Sequence, residues 1–352
     1  MQKIFASAVV AVVLCCAFGL RAEAASPCAA VNAEPVPPTL PGTPAPTSLL
    51  GVEAAAEEAT GHPVFLWKLS STGRYLAYVA DDEDQLFKPD REVFVLDRST
   101  GVTRRAGEAA YEWQWAAEDD TLWLLGRESL FRYDAQSGTS RRVALPEGMG
   151  PIVSVAAWFE DRAAAVVRSG GPDFEDLQTT VCELAVGPGG EAAPIALKTL
   201  LVEEAQWLRA LPHGEWIAWG WEGKLHRGFR DASSEALPRR AARILGVERI
   251  DDANAGVVYQ SNDGNVALTV VPSSGPPVDL GWTDKSCAFK NVDTAYFLTV
   301  LGIRREADGY EVLLSHRLLP ELPRSIHFSD HGVCADRPSP KSADGTGERL
   351  SE

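Results

Sequence analysis

The chain has 352 residues and a formal net charge of −16, with 49 acidic against 33 basic side chains. Its acidity repels phosphate backbones, and its basic residues form isolated pairs instead of a patch interleaved with aromatic rings, which argues against a nucleic-acid partner. The six cysteines include no Cys-x-x-Cys unit, which argues against a zinc ribbon and a thioredoxin-like redox site.

Residues 1–24 predict a signal peptide. Lys3 precedes an apolar stretch over residues 4–20, and small side chains at Ala22 and Ala24 suit cleavage after Ala24. An uncleaved membrane anchor is the alternative, although the stretch is short for a comfortable span. No later segment is apolar enough over the length needed to cross a bilayer, so we expect a periplasmic or secreted protein with no membrane span after cleavage.

Residues 25–62 predict a tether followed by one short helix. Residues 34–47 are rich in Pro, Thr and Ala, a composition that favours extended conformations. Ser48 is an N-cap candidate for a run of helix formers that continues to Ala59. At the other end, residues 329–352 are polar and contain Gly, Pro and Ser, which predicts a flexible tail.

The segment between them, residues 63–328, carries a weak internal repeat. A short apolar run recurs with a period of about 40 to 50 residues, which is typical of four-stranded propeller repeats. The runs centre on Leu76, Leu122, Ala165, Ile217, Val257 and Tyr296. A bulky apolar residue precedes each of them, namely Trp67, Trp113, Trp158, Trp207, Ile250 and Phe289. We expect these bulky residues to lie on inner strands and to pack between blades.

Each unit continues with a third β-rich run, among them residues 92–97, 129–134, 179–184 and 266–271. In the first two units, turns begin at Asp97 and Asp134 and contain Gly101 and Gly138, where glycine supplies a positive φ. Four short strands per unit and almost no helical period predict an all-β fold. The specific prediction is a six-bladed β-propeller of four-stranded antiparallel blades, with seven blades as the alternative.

Residues 69–79 (LSSTGRYLAYV), the run 93–97 (VFVLD) and the Thr100-Gly101 turn resemble the repeats of TolB-like six-bladed propellers. The second unit is similar as well, and the other four match in period and strand order. Similar repeats occur in prolyl oligopeptidases and would imply a hydrolase domain, but the chain has no Gly-x-Ser-x-Gly elbow. TolB resembles a propeller joined to a substantial N-terminal domain, whereas residues 25–62, which precede the propeller region here, are too few to form one. Membership of the Tol system is therefore not implied.

No residue set in the sequence forms a recognisable active site. His-Glu-x-x-His, Walker, Gly-x-Gly-x-x-Gly and EF-hand motifs are all absent, so we predict no catalytic residue and no cofactor. The densest group is His327, His331 and Cys334, whose spacing a metal ion could accept. A disulfide role for Cys334 competes with a metal site there.

Two groups of side chains are candidates for a ligand-binding face. Asp82 and Asp84 belong to an acidic run, which usually lies in a solvated loop. The alternative is that this run binds calcium or a basic partner at one rim of the propeller. Trp219 and Trp221 lie in an aromatic-rich strand whose alternation turns Trp216 to the opposite face. Exposed tryptophans would suit a sugar or a peptide, whereas tryptophans that pack between blades would be core.

Four cysteines follow the predicted signal peptide. Cys28 and Cys334 flank the propeller, and a disulfide between them would tether its two ends. Cys287 with Cys334 is the alternative pairing. Cys182 and Cys287 are expected to be too far apart to bridge, because the third and sixth blades of a six-membered ring face each other.

These observations favour an exported, non-catalytic and monomeric scaffold that presents one propeller face to a protein or peptide. The alternative is a hydrolase or lyase that acts on a sugar or peptide in the central funnel. Convergent charged residues with perturbed pKa values around the axis would favour that enzyme. A structural or envelope-associated role is the third possibility.

Overall fold

The computed structural model describes residues 48–80, 90–169, 178–187, 192–201, 205–220, 224–229, 234–237, 243–261, 265–282, 298–316, 319–329 and 334–337. Helix α1 (Leu49–Thr60) begins where the sequence predicted, because the Ser48 side chain accepts a hydrogen bond of 3.0 Å from the backbone N–H of Gly51. Nowhere in these residues is there a helix with the length and hydropathy that a bilayer crossing requires.

The strands of these residues form six antiparallel sheets of four strands each. The first sheet contains β1 (Val64–Leu69), β2 (Tyr75–Ala80), β3 (Phe94–Asp97) and β4 (Val102–Arg105). The second contains β5 (Glu112–Trp115), β6 (Thr121–Leu125), β7 (Leu130–Asp134) and β8 (Thr139–Val143). The third contains β9 (Ile152–Phe159), β10 (Arg162–Ser169), β11 (Gln178–Val186) and β12 (Ala192–Leu201).

The other three sheets repeat this plan. The fourth contains β13 (Trp207–Leu211), β14 (Glu215–Trp219), β15 (Leu225–Phe229) and β16 (Ser234–Ala236). The fifth contains β17 (Arg243–Arg249), β18 (Asn254–Gln260), β19 (Val266–Pro272) and β20 (Val278–Trp282). The sixth contains β21 (Leu298–Glu306), β22 (Gly309–His316), β23 (Leu319–Ser329) and β24 (Cys334–Arg337). In every sheet the spatial order equals the chain order, so each sheet forms from one continuous stretch of chain.

The predicted all-β architecture of small antiparallel sheets is confirmed, and five of the six apolar runs form second strands. Trp67, Trp113, Trp158 and Trp207 lie on the first strands of their sheets, as expected. The sixth run was misassigned: Tyr296 lies outside the described residues and just before the first strand β21, while the second strand is β22. The reason is that β21 is itself apolar and long, so its beginning resembles a second strand.

The sixth sheet extends past the expected boundary at residue 328, because β24 pairs with β23 and completes this sheet. Outermost strands give little sequence signal, since a strand that faces water can be polar. All four residues of β4 are exposed, for example, as are the first four of β8.

The shared hairpin signature of the first two sheets forms as predicted. Gly101 and Gly138 both have φ of 70°, and their N–H groups donate to the carbonyls of Asp97 and Asp134 at 2.8 Å. Burial acts to raise the pKa of Asp97, but hydrogen bonds from Arg74 and Ser99 outweigh it and lower the pKa to about 2.

The buried apolar side chains form clusters between successive sheets. Five clusters join sheets one and two, two and three, three and four, four and five, and five and six. A further cluster joins sheet six to sheet one and includes one face of α1. The first strands follow the same order, since each contacts the first strand of the next sheet and β21 contacts β1.

Helix α1 bridges the first and sixth sheets. Trp67 of β1 donates its indole N–H to Glu53 of the helix at 3.2 Å, and the N–H of Leu49 donates to Glu311 of β22 at 3.0 Å. Both bonds are buried, where a hydrogen bond to a charged group is worth about 1.5–3 kcal/mol. The helix therefore holds together two sheets that lie far apart in the chain.

Leu313→Ala tests the contact between the sixth and first sheets. Leu313 is 0% exposed and packs in the cluster with α1 and the first sheet, so truncation should lower the free energy of unfolding by about 2–5 kcal/mol. Val278→Ala is the control, because Val278 is 52% exposed and its loss should change stability by about 0.5 kcal/mol or less. Equal effects of the two variants in urea unfolding would contradict this contact.

Candidate functional site

A cavity of about 410 Å³ opens where the first strands of the six sheets approach one another. Each first strand contributes to its wall, and β14 adds one further residue. The charged and aromatic side chains of the wall include Lys68, Glu112, Trp113, Trp207, Arg209, Trp219, Arg243 and Glu248. A concave site of this size with a few convergent polar groups is typical of ligand-binding pockets.

One side of the wall holds an ion-pair network. Lys68 donates a hydrogen bond to one carboxylate oxygen of Glu248, and Arg209 donates to the other oxygen at 2.6 Å. Lys68 also donates to the carbonyl of Val300 at 2.7 Å. Burial lowers the pKa of the Lys68 ammonium, and the Arg209 charge lowers it further, while Glu248 opposes both. The two cations and the carboxylate thus largely satisfy one another.

The network continues through neutral groups to a second carboxyl. Arg209 donates to Gln114 at 3.4 Å, and the Gln114 amide donates to Glu112 at 2.7 Å and to the Leu208 carbonyl at 2.7 Å. Ser154 donates to the same Glu112 oxygen at 2.8 Å. Burial raises the pKa of Glu112 to about 7, although these hydrogen bonds and the Arg209 charge act in the opposite direction.

These bonds connect the first strands of all six sheets. Lys68 lies on β1, Gln114 on β5, Ser154 on β9, Arg209 on β13 and Glu248 on β17, and the Val300 carbonyl belongs to β21. Several bonds join sheets that are not successive in the chain, such as the first and the fifth. The six first strands therefore converge on a common centre, which the network spans.

Four of the first strands are irregular where they line the cavity. The register of β1 against β2 shifts just before Lys68, and Leu66 has a φ of 50°. Similar shifts occur over residues 152–154 of β9, 244–246 of β17 and 300–302 of β21. A bulge reverses which face the following residues take. It allows these strands to direct polar groups into the cavity while their other residues pack between sheets.

Aromatic rings form another part of the wall. Trp207 and Trp219 stack with ring centroids 6.2 Å apart and an interplanar angle of 23°. Trp219 and Ile217 share one cluster while Trp216 packs in the neighbouring one, so the predicted alternation of β14 is confirmed. Trp219 is 8% exposed, packs in a buried cluster and also lines the cavity.

Of the other predicted site residues, His327 is described with its side chain and does not line this cavity. Trp221, Asp82, Asp84, His331 and Cys28 lie outside the described residues. His327 lies on β23, two strands away from the cavity wall, and Cys334 begins β24. The predicted Cys28–Cys334 disulfide therefore stays a prediction.

Cys182 is a free thiol. Burial raises its pKa to about 11, which keeps it protonated and unreactive at neutral pH.

Sequence reasoning missed the charged residues of the cavity. Lys68, Glu112, Arg209 and Glu248 belong to no motif, and they lie more than thirty residues apart in the chain. The available signal was a charge inside an otherwise apolar first strand, as in VFLWKL of β1 and WLRAL of β13. Only the convergence of the strands brings these charges together.

No protein-family model matches this sequence, and no curated protein matches it either. Solved structures similar in fold include one described as a mitotic checkpoint complex, which is 13% identical with a TM-score of 0.50 over 78% of each chain. The β-propeller domain of the Trilobed protease from Pyrococcus furiosus is 11% identical, with a TM-score of 0.47 over 82% of this chain and 84% of that one. YCF48 from Cyanidioschyzon merolae is 12% identical, with a TM-score of 0.48 over 79% and 86%. At these identities the likeness concerns fold alone, and the TolB-like resemblance stays a prediction.

Lys68→Met tests the ion-pair network. The variant leaves Glu248 with Arg209 as its one cation and removes the Lys68 bonds to Glu248 and Val300, so it should lower the free energy of unfolding by about 1–3 kcal/mol. The double variant Lys68→Met/Glu248→Gln should be destabilised by less than the sum of the two single variants, because the Lys68–Glu248 bond is lost only once. Urea unfolding of both single variants and the double variant measures the coupling, and strictly additive effects would argue against the network.

Glu112→Gln tests the raised pKa of Glu112. Because the native state holds this proton up to about pH 7 whereas the unfolded chain releases it near its ordinary value of 4.5, the group makes the protein less stable as pH rises between these values. The glutamine keeps a hydrogen-bond acceptor and cannot ionise, so this loss, of order 1–3 kcal/mol, should disappear.

The measurement is the free energy of unfolding across that pH range for the wild type and for Glu112→Gln. Glu147→Gln, at an exposed carboxylate, is the matched control and should follow the wild type. Parallel pH profiles for the wild type and Glu112→Gln would contradict the raised pKa.

Proposed function

We propose that the chain is an exported, monomeric six-bladed β-propeller of the TolB-like kind, and that it binds a basic peptide segment of a partner protein in the central cavity. It acts in the periplasm or outside the cell as a non-catalytic scaffold. The observation that carries the proposal is the Glu112 carboxyl in the cavity wall, beside tryptophan rings and without an ion pair among the described residues.

The ring arrangement is supported by how the sheets cover one another. Each sheet shares a buried cluster with the sheet before it and the sheet after it, and the cluster with α1 joins the sixth sheet to the first. The hydrogen-bonded network that reaches all six first strands also suits a shared axis. Six such sheets around an axis are the blades of a propeller, whose central cavity is a frequent ligand site.

The ligand class follows from charge and ring placement. Lys68 and Arg209 are already bonded to Glu248, and Arg243 has an interaction of its own, so these cations are committed within the protein. A lysine or arginine side chain of a peptide could pair with Glu112 and contact the faces of the nearby tryptophans. The net charge of −16 would also attract basic segments from a distance.

An enzyme is the second candidate function, and one observation favours it. Glu112 has a raised pKa and Lys68 a lowered one in the same cavity, which is the pattern of general acid and base groups. Such a hydrolase or lyase would act on a sugar or peptide at this site. We favour binding because Lys68 is held by Glu248 and Val300 and, in the part of the chain that the structure describes, donates to no other acceptor.

Selection of short random peptides displayed on phage against the full mature chain tests the proposed function. Enriched peptides should carry Lys or Arg, and calorimetric titration should give an affinity that falls at least about tenfold in Glu112→Gln. The affinity should also rise from about pH 6 to about pH 8, because Glu112 gains its charge over that range. Glu147→Gln should bind as the wild type does.

Two outcomes would contradict the proposal. Enriched peptides without basic residues, or an affinity that is unchanged in Glu112→Gln, would remove the role of this carboxyl. Mass spectrometry of the incubated peptides separates the two candidate functions, because cleavage products that depend on Glu112 would favour the enzyme over the scaffold.

A further inference from the structure

A second group of ionisable side chains lies in the sixth sheet, away from the cavity wall. Glu306 ends β21, Asp308 lies in the turn before β22, and His327 belongs to β23. The ligand atoms of the three residues all lie within 4.8 Å of one another. Nδ1 of His327 is 2.8 Å from a Glu306 oxygen, and its Nε2 is 3.4 Å from an Asp308 oxygen.

His327 is unusual because it is buried without hydrogen bonds. The residue is 7% exposed, and neither ring nitrogen makes a hydrogen bond in the structure. A buried polar group without a hydrogen-bond partner costs about 1–3 kcal/mol of folding free energy, so few such groups occur in native structures. The two carboxylates approach different ring nitrogens, Glu306 at Nδ1 and Asp308 at Nε2, so each nitrogen lies near a negatively charged group without a hydrogen bond to it.

We propose that Glu306, Asp308 and His327 bind a Zn²⁺ ion. One imidazole nitrogen and two carboxylate oxygens are ligands that zinc accepts, at bond lengths of about 2.0–2.2 Å. In a tetrahedral site such ligands lie about 3.3 Å from one another, so the three residues, whose ligand atoms lie within 4.8 Å of one another, would move together by up to about 1.5 Å on binding the ion. Three protein ligands leave one coordination position for water.

The surroundings of the group also suit a cation. Glu311 lies opposite His327 in the register of β22 and β23, and its carboxylate is occupied by Leu49 and Ser325, so it adds negative charge without competing as a ligand. The Asp308 side chain is 75% exposed, which gives an ion access from solvent and lets the carboxylate adjust to it. The site therefore combines a buried imidazole, a nearly buried carboxylate and an exposed carboxylate that solvent can reach.

This set differs from the one that the sequence suggested. Only His327 is common to both, whereas His331 lies outside the described residues and the side chain of Cys334 is not among those described. Glu306 and Asp308 were not candidates, because they precede His327 by about twenty residues and meet it only through the pairing of β21, β22 and β23. Substitution of the residues that belong to only one set, Asp308 on the one hand and His331 with Cys334 on the other, can therefore distinguish the two sets.

Titration of the full mature chain, purified without a histidine tag and stripped with a chelator, tests the proposal with Zn²⁺ alone as the probe. Calorimetry should find one zinc ion per chain, and zinc should raise the midpoint of thermal unfolding. Asp308→Asn should weaken zinc binding at least about tenfold, and His327→Gln should abolish it. Because Asp308 is exposed in a turn, its variant should fold even if His327→Gln does not.

Two matched variants complete the experiment. His62→Gln removes a histidine that lies on another element, and His331→Gln/Cys334→Ser removes the ligands that the sequence suggested. Both should bind zinc as the wild type does. The proposal is overturned by an absence of zinc binding, by affinity that Asp308→Asn leaves unchanged, or by affinity that the His331/Cys334 variant loses while Asp308→Asn retains it.

Discussion

The second strand of each sheet carries buried apolar side chains on both faces, and this requires every sheet to have a neighbour on each side. In β6 all five residues are buried: Leu122 and Leu124 pack toward the first sheet, while Trp123 and Leu125 pack toward the third. A linear row of sheets would leave two apolar faces in water. The cluster that joins the sixth sheet to the first, together with α1, covers those two faces. The order of the sheets and the convergence of their first strands follow from this requirement.

Convergence has an electrostatic consequence. First strands that approach one another bring charged side chains out of bulk water, and an unpaired charge there would be strongly unfavourable. In this protein the charges are paired in a network. Glu248 accepts hydrogen bonds from the two cations Lys68 and Arg209, and Gln114 connects Arg209 to Glu112. Glu112 is the exception, since it is hydrogen-bonded but not paired with a cation among the described residues. Burial raises its pKa, and under the proposed function it is the group through which a cationic ligand would bind.

The cavity and the proposed zinc site are physically separate, although both involve β21. Val300 lies near the start of that strand and belongs to the cavity wall, whereas Glu306 is its last residue. Six residues of extended strand span about 20 Å, so an ion at Glu306 would not contact a ligand beside Lys68. Zinc would act on the sixth sheet by joining the β21–β22 turn to β23. Peptide binding and zinc binding can therefore be tested, and can fail, independently.

The amino-acid sequence determined the parts of the structure that depend on local pattern. The N-cap of α1, the Asp-to-Gly hairpins at Gly101 and Gly138, the tryptophans on first strands and the third strands could all be read from residue types and period, because turn chemistry and alternating burial act over a few residues. Strand β24 could not, since its four residues (CADR) carry no apolar period.

Tertiary structure alone decided which residues share a site. Lys68, Arg209 and Glu248 come from three sheets, and Glu306 meets His327 only after two hairpins have formed. Each of these residues looks like a solvent-facing charge when it is read in its own strand. What makes them functional candidates is the loss of water around them, and that loss depends on contacts between segments far apart in the chain.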